Sequence, residues 1–160
     1  MYRGRGRLCA GCYVLEMNKV RLAEKFAAFS DHWNPRIVGE LNGQHVKIVK
    51  FQGDFVWHHH DTEDELFLVV RGSFRMDYRD ESGAERSMDV NAGEFVIMPR
   101  GVEHRPCADE EVHVMLFEPA STLNTGNVRN ERTVDAWMPR KWTPALWLCS
   151  PSHCHNMADR

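Results

Sequence analysis

Residues 53–72 read GDFVWHHHDTEDELFLVVRG, and the fold turns on them. Side chains of an extended chain alternate between two faces, so His58 and His60 share a side and His59 takes the other. Asp61 to Asp64 form a turn, with Glu63 and Asp64 as its surface residues. Glu65 then opens a second extended run and can return a carboxylate to the side of His58 and His60. Next comes Leu66-Phe67-Leu68-Val69-Val70, apolar on both faces. A strand that faces solvent on one side alternates apolar with polar, so this one is covered twice, by the interior of its own domain and by something outside it. A second subunit and the helix predicted below are the two candidate covers.

The extended pattern continues on either side. Ile37–Leu41 and His45–Phe51 flank Asn42-Gly43, a type I′ hairpin signal. Further strands are predicted at Phe55–His60, Glu65–Val70, Ser73–Tyr78, Glu85–Val90, Phe95–Met98 and Val112–Phe117. Turn residues separate them, among them Gly72, Ser82-Gly83, Asn91-Ala92-Gly93 and Pro99-Arg100-Gly101. Many short strands at this spacing, with no helical segment between them, predict a sandwich or barrel over residues 36–120.

Residues 17–35 are predicted to form a short N-terminal helix. Val20, Leu22, Ala23, Phe26, Ala27 and Phe29 recur at helical spacing, and Asn34-Pro35 ends it, because the residue before a proline is pushed out of the α region. Residues 1–16 read as a basic, disordered leader and residues 121–160 as a C-terminal loop and tail, so the chain is one all-β domain with a helical preface. Its 160 residues, 42 % of them apolar, suffice for a single core. Charges nearly cancel, 20 Lys and Arg against 23 Asp and Glu, which argues against nucleic acid as a partner. No apolar run approaches the roughly 20 residues of a membrane-spanning helix.

The five cysteines, at 9, 12, 107, 149 and 154, are odd in number and mostly terminal, unlike a disulfide scaffold, so a cytoplasmic location is expected. Cys9, Cys12, Cys149, His153, Cys154 and His155 could together make a second, structural zinc site, with unstructured tails as the plainer reading. Cys107 reads as a small core or rim residue.

The chemistry lies with the histidines. His104 follows the tight turn at Pro99-Arg100-Gly101 and can bring a third imidazole to His58, His60 and Glu65. Three neutral imidazoles and a carboxylate suit one divalent transition metal ion, Zn, Fe, Mn, Ni, Cu or Co, with positions left open for water or substrate. In these residues the chain resembles the cupin superfamily. The first motif reads Gly53-(four residues)-His58-x-His60-(four residues)-Glu65-(six residues)-Gly72. The second reads Gly93-(five residues)-Pro99-x-Gly101-(two residues)-His104. In two places the chain departs from the family: the first spacer is one residue short, and Ala108 stands where an Asn is usual.

The resemblance covers about residues 36–118. It implies a conical cupin barrel (a jelly roll, or double-stranded β-helix) with the metal inside on His58, His60, Glu65 and His104. It also suggests the small single-domain cupins called mannose-6-phosphate isomerase-like. A metal-dependent enzyme acting on a small molecule, isomerase-like or dioxygenase-like, is the functional expectation, with a non-catalytic ligand-binding or sensing module as the alternative. A homodimer is expected from the two-sided strand. Candidate pocket walls are Trp57, Phe67, Met76, Phe95, Met115 and Phe117. Arg100 and Arg105 are candidates to receive a substrate anion, and His113 and Glu103 to orient a ligand imidazole. No hydrolase elbow, phosphate loop or dinucleotide fingerprint is present.

Overall fold

The computed structural model describes residues 19–134, which fall into two units divided after Ser30. The first carries a single helix, α1 (Leu22–Ala27), with an Arg21–Glu24 ion pair at its start. It is much shorter than the 17–35 expected. Past Ala28 the chain leaves the helix, and in the second unit Asp31 accepts hydrogen bonds from Asn34 and Arg36. Local side-chain bonds of this kind offer the backbone an alternative to helix, and Trp33 takes up a left-handed φ of 58°.

The second unit is all β. Its strands are β1 (Arg36–Leu41), β2 (Gln44–Asp54), β3 (Glu65–Arg71), β4 (Ser73–Arg79), β5 (Glu85–Asn91), β6 (Phe95–Met98) and β7 (His104–Pro119). All pairings are antiparallel, in the order β1-β2-β7-β3-β6, with β4 joining β5 to β7. The β1–β2 hairpin turns at Asn42 and Gly43, both at positive φ (53° and 78°), as a type I′ turn requires.

β7 organises the barrel. It pairs with β2 along both of its halves, with β4 through His104–Cys107 and with β3 through His113–Phe117. Alternate residues Val112, Val114, Leu116 and Glu118 are buried, while His113, Met115 and Phe117 are only half-buried. The inward row meets Val49 and Phe51 of β2, Phe67 and Val69 of β3, and Phe74 and Met76 of β4 in one core. Phe51 is its hub, stacked on Trp33 with ring centroids 4.4 Å apart and edge-on to Phe74 at 5.5 Å.

Two segments differ from the sequence expectation. Residues 104–111 extend β7 where no strand was foreseen. Residues 55–60, expected as a strand, contribute only an isolated bridge, His58 to His104. The alternation there survives because the two edges of the segment bond to different partners. His58 exchanges backbone bonds with His104 (3.1 and 2.8 Å), and the carbonyl of His60 accepts from Gly101 N–H (2.7 Å). The N–H and carbonyl of His59 turn the other way, to Asn127.

Candidate metal centre

Four side chains from three places in the chain meet inside the barrel. His58 and His60 come from the bonded segment between β2 and β3, Glu65 from the first residue of β3, and His104 from the first residue of β7. All four are buried, between 1 and 4 % exposed. One donor atom from each lies within 4.8 Å of the others. Glu65 Oε2 is 3.3 Å from His60 Nε2 and 3.7 Å from His104 Nε2.

The rings are held from behind. His58 Nδ1–H donates to the carbonyl of Val56, and His104 Nδ1–H to that of Val102, each at 2.9 Å. A carbonyl only accepts, so the proton must sit on Nδ1 and the Nε2 lone pair is turned into the site. His60 Nε2, His104 Nε2 and Glu65 Oε2 are buried with no hydrogen-bond partner. Orphaned polar atoms are costly, and three that point at one spot fit a cation. The set of donors, soft enough for transition metals and carrying one negative charge, fits a divalent ion.

The electrostatics agree. Burial, and then the neighbouring His104, push the His58 pKa down to about 3, so its imidazole is neutral. Burial would push the Glu65 carboxyl up, but His104, His60 and Glu118 beside it hold it well below the usual range, so it is ionised. The consequence for stability has a definite sign. The unfolded chain protonates this histidine near the ordinary value of 6.5, and the folded chain refuses the proton until about 3. The contribution of His58 to stability is therefore fully present above about pH 6.5 and is lost as the pH falls toward 3, by at most about 5 kcal/mol. Urea unfolding of the chelator-stripped protein is expected to show a midpoint that falls steadily between pH 6.5 and 4. A midpoint flat over that range would mean that His58 is not held neutral.

His59 points away, as alternation predicts, and bonds Asp61 at 3.1 Å. The supporting residues anticipated from sequence do not serve: His113 bonds Glu111, and Glu103 pairs with Arg79. Backbone carbonyls do that work instead, and no side-chain pattern reveals those. Arg100 is engaged with Asp64, and Arg105 with Asp77. Cys107 is buried beside Asp77, as a core or rim residue would be.

The pocket walls need correction. Phe67 is at the site, its ring 6.0 Å from that of His104. Phe95, however, is 60 % exposed, and Met115 and Phe117 lie on the outward face of β7. Met76 is fully buried core, and the Trp57 ring is engaged by the guanidinium groups of Arg79 and Arg105, 5.2 and 5.1 Å from its centroid. The cavity beside His58 and Glu65 is walled instead by Trp33, Val49, Phe51, Phe55, Phe67 and Leu116, and holds about 20 Å³. That is room for roughly one water molecule.

Sequence reading also missed the cap. Residues 121–134, expected to be loop and tail, fold as turns over the site, with Thr122 and Thr125 fully buried. Asn127 bonds both backbone groups of His59 (3.0 Å each). The candidate zinc residues Cys9, Cys12, Cys149, His153, Cys154 and His155 lie outside the described residues.

Comparison with known proteins places this arrangement. Residues 45–118 match the Cupin_2 family, described as Cupin domain. A cupin-2 domain-containing protein from Shewanella frigidimarina NCIMB 400 is 40 % identical, with a TM-score of 0.58 over 62 % of this chain and 93 % of its own. The chain belongs to the cupin superfamily. It is also 34 % identical over 82 residues to the uncharacterized protein YdbB of Bacillus subtilis (strain 168), a match spanning 51 % of this chain and 63 % of that one. The chain thus covers a little under two thirds of that relative. A hydroquinone 1,2-dioxygenase, PnpCD, in complex with Fe3+ shares the fold at 20 % identity, with a TM-score of 0.60 over 71 % of this chain and 36 % of its own. Among the described residues no helix is long and apolar enough to cross a membrane.

Proposed function

We propose that this chain holds one divalent transition metal ion on His58, His60, Glu65 and His104 and acts on a small, largely apolar molecule, with dioxygenase-like chemistry favoured over isomerase-like. The observation that carries the reading is the convergence of four buried donor atoms within 4.8 Å, with the Nε2 atoms of His60 and His104 and Glu65 Oε2 left without partners. A metal held there supplies Lewis-acid chemistry or, with a redox metal, oxygen chemistry. His58 and His104 present lone pairs fixed from behind, and Glu65 brings the balancing charge. The wall of Trp33, Phe51, Phe55 and Phe67 excludes water and offers flat apolar surfaces to a substrate. Against a sugar phosphate, Arg100 and Arg105 already have carboxylate partners.

The test is metal analysis of protein purified without chelator, followed by oxygen uptake with dihydroxybenzenes. One redox metal per chain and uptake with such a substrate support the reading. Turnover of a sugar phosphate without oxygen would overturn it in favour of an isomerase. The second reading is a ligand-binding module, and it is favoured by the cavity lining, which besides His58 and Glu65 carries no titratable side chain to serve as an acid or base. Tight ligand binding without turnover would establish it.

We also propose a homodimer. The outward side of β3 carries half-buried Leu66 and Leu68. Leu66 lies between Ile97 and Phe117, and Leu68 between Phe95 and Met115. Phe95 and Ile97 are 60 % and 52 % exposed, so the rows make one contiguous apolar face of the kind that marks an interface. A second copy, meeting like with like, is the proposed cover. Light scattering is expected to give twice the chain mass of 18.6 kDa, falling to one chain in Phe95→Asp/Ile97→Asp. A wild-type mass of one chain would rule the dimer out.

A further inference from the structure

The barrel interior breaks its own pattern at two positions that meet beside the metal centre. Along β7 the inward row runs Val112, Val114, Leu116 and then Glu118, where a further apolar residue would continue it. Along β2 it runs Phe51, Val49 and then Lys47. Glu118 is 1 % and Lys47 7 % exposed, and Lys47 Nζ lies 2.5 Å from Glu118 Oε1. The β3–β7 register, Leu66 opposite Phe117, sets Glu118 across from Glu65, and the two carboxyl groups interact directly.

Such a pair is a poor device for stability. Taking two charged groups out of water costs several kcal/mol each, and apolar residues of similar size generally do as well or better. Local rules broken inside a core without a stability gain are characteristic of functional positions.

We propose that Glu118, held in place by Lys47, is a positioning residue for Glu65. Glu65 can offer the metal one oxygen while the other faces Glu118. Glu65 is ionised and can only accept, so the Glu118 carboxyl donates its proton to that oxygen, which fixes which oxygen is which and in what orientation. Lys47 anchors Glu118 from the far side and supplies a positive charge that keeps two adjacent carboxyl groups tolerable. The role is that of a partner behind a ligand, which tunes affinity and geometry without touching the ion. It rests on the metal-centre reading above.

The experiment compares wild type with Glu118→Gln, Glu118→Leu and the double variant Lys47→Met/Glu118→Leu. Readouts are Zn²⁺ and Co²⁺ affinity by chelator competition, the visible spectrum of the Co²⁺ form, and the thermal midpoint of the metal-free proteins. The double variant removes Lys47 and Glu118 together, so neither is left buried without the other, and it keeps the test valid if Glu118→Leu alone folds poorly. Expected are affinities about 10–100-fold weaker, with an altered Co²⁺ spectrum, in the Leu and double variants. Glu118→Gln should recover most of the affinity and the spectrum, since an amide can accept from Lys47 and donate to Glu65. Wild-type affinity and spectrum in a folded double variant would overturn the positioning role while leaving the centre intact. A wild type that binds neither ion would overturn the centre itself, and this role with it.

Discussion

His104→Ala and His58→Ala are each expected to abolish tight metal binding, while His59→Ala leaves it unchanged. The three residues are alike in type, and two are adjacent in sequence, so composition cannot separate them. Geometry does. His58 and His104 are buried at 2 and 1 %, with Nδ1 tied to a carbonyl and Nε2 facing Glu65 and His60. His59 points outward to Asp61. Losing a group behind a ligand typically costs about 10–100-fold in affinity, so losing a ligand itself should cost more than that, measured by chelator competition and by metal content after dialysis. Equal loss from all three substitutions would mean that the histidines act as a polar tract rather than as a built site.

The second large effect is expected from a residue with no chemistry. Gly126 sits at φ +51°, and a Cβ there would lie 2.1 Å from the carbonyl oxygen of His59 and 3.3 Å from the ring of His58. The obstructing atoms are mainly backbone, which cannot swing aside. Gly126→Ala must therefore lift the cap, breaking the two bonds of Asn127 to His59 and adding left-handed strain. We expect a loss of roughly 3 kcal/mol or more, with weaker metal binding, because His59 lies between the two ligands His58 and His60. Gly83→Ala is the control: its φ is +79°, but a Cβ there meets nothing within 4 Å. It should show the strain alone, about 1–2 kcal/mol. Equal urea midpoints for the two variants would show that the cap does not press on the site.

The contrast between these two predictions shows what was legible in the sequence. His58, His60, Glu65 and His104 could be read because strand alternation and the spacing of glycines and a proline are local properties, and the structure brings all four together. The Asn42-Gly43 hairpin was legible for the same reason. The first half of β7 was not. Its Pro106 and the acidic run Asp109–Glu111 are residues that strands disfavour, and the pairing with β4 and β2 that holds the start of the strand extended, over His104–Ala108, is long-range. The faces of Phe95, Met115 and Phe117 were misjudged because both sides of those strands are apolar, so periodicity gives no direction. Gly126 and Asn127 were illegible because their meaning depends on a backbone carbonyl almost seventy residues away.

β7 begins with His104 and carries Glu118 one place from its end, with every other interior residue of the strand between them. Side-chain direction has a period of two, so a slip of one residue against β2 would turn all of these outward together. Barrel closure and assembly of the centre are in this sense one event. During synthesis no shorter nascent chain can complete the four-ligand site, because the third imidazole and the strand that seats it arrive only after the other partners have emerged. Metal uptake by this protein would then report directly on the completion of folding, and a chain caught with a misregistered strand would be recognisable by its inability to capture the ion.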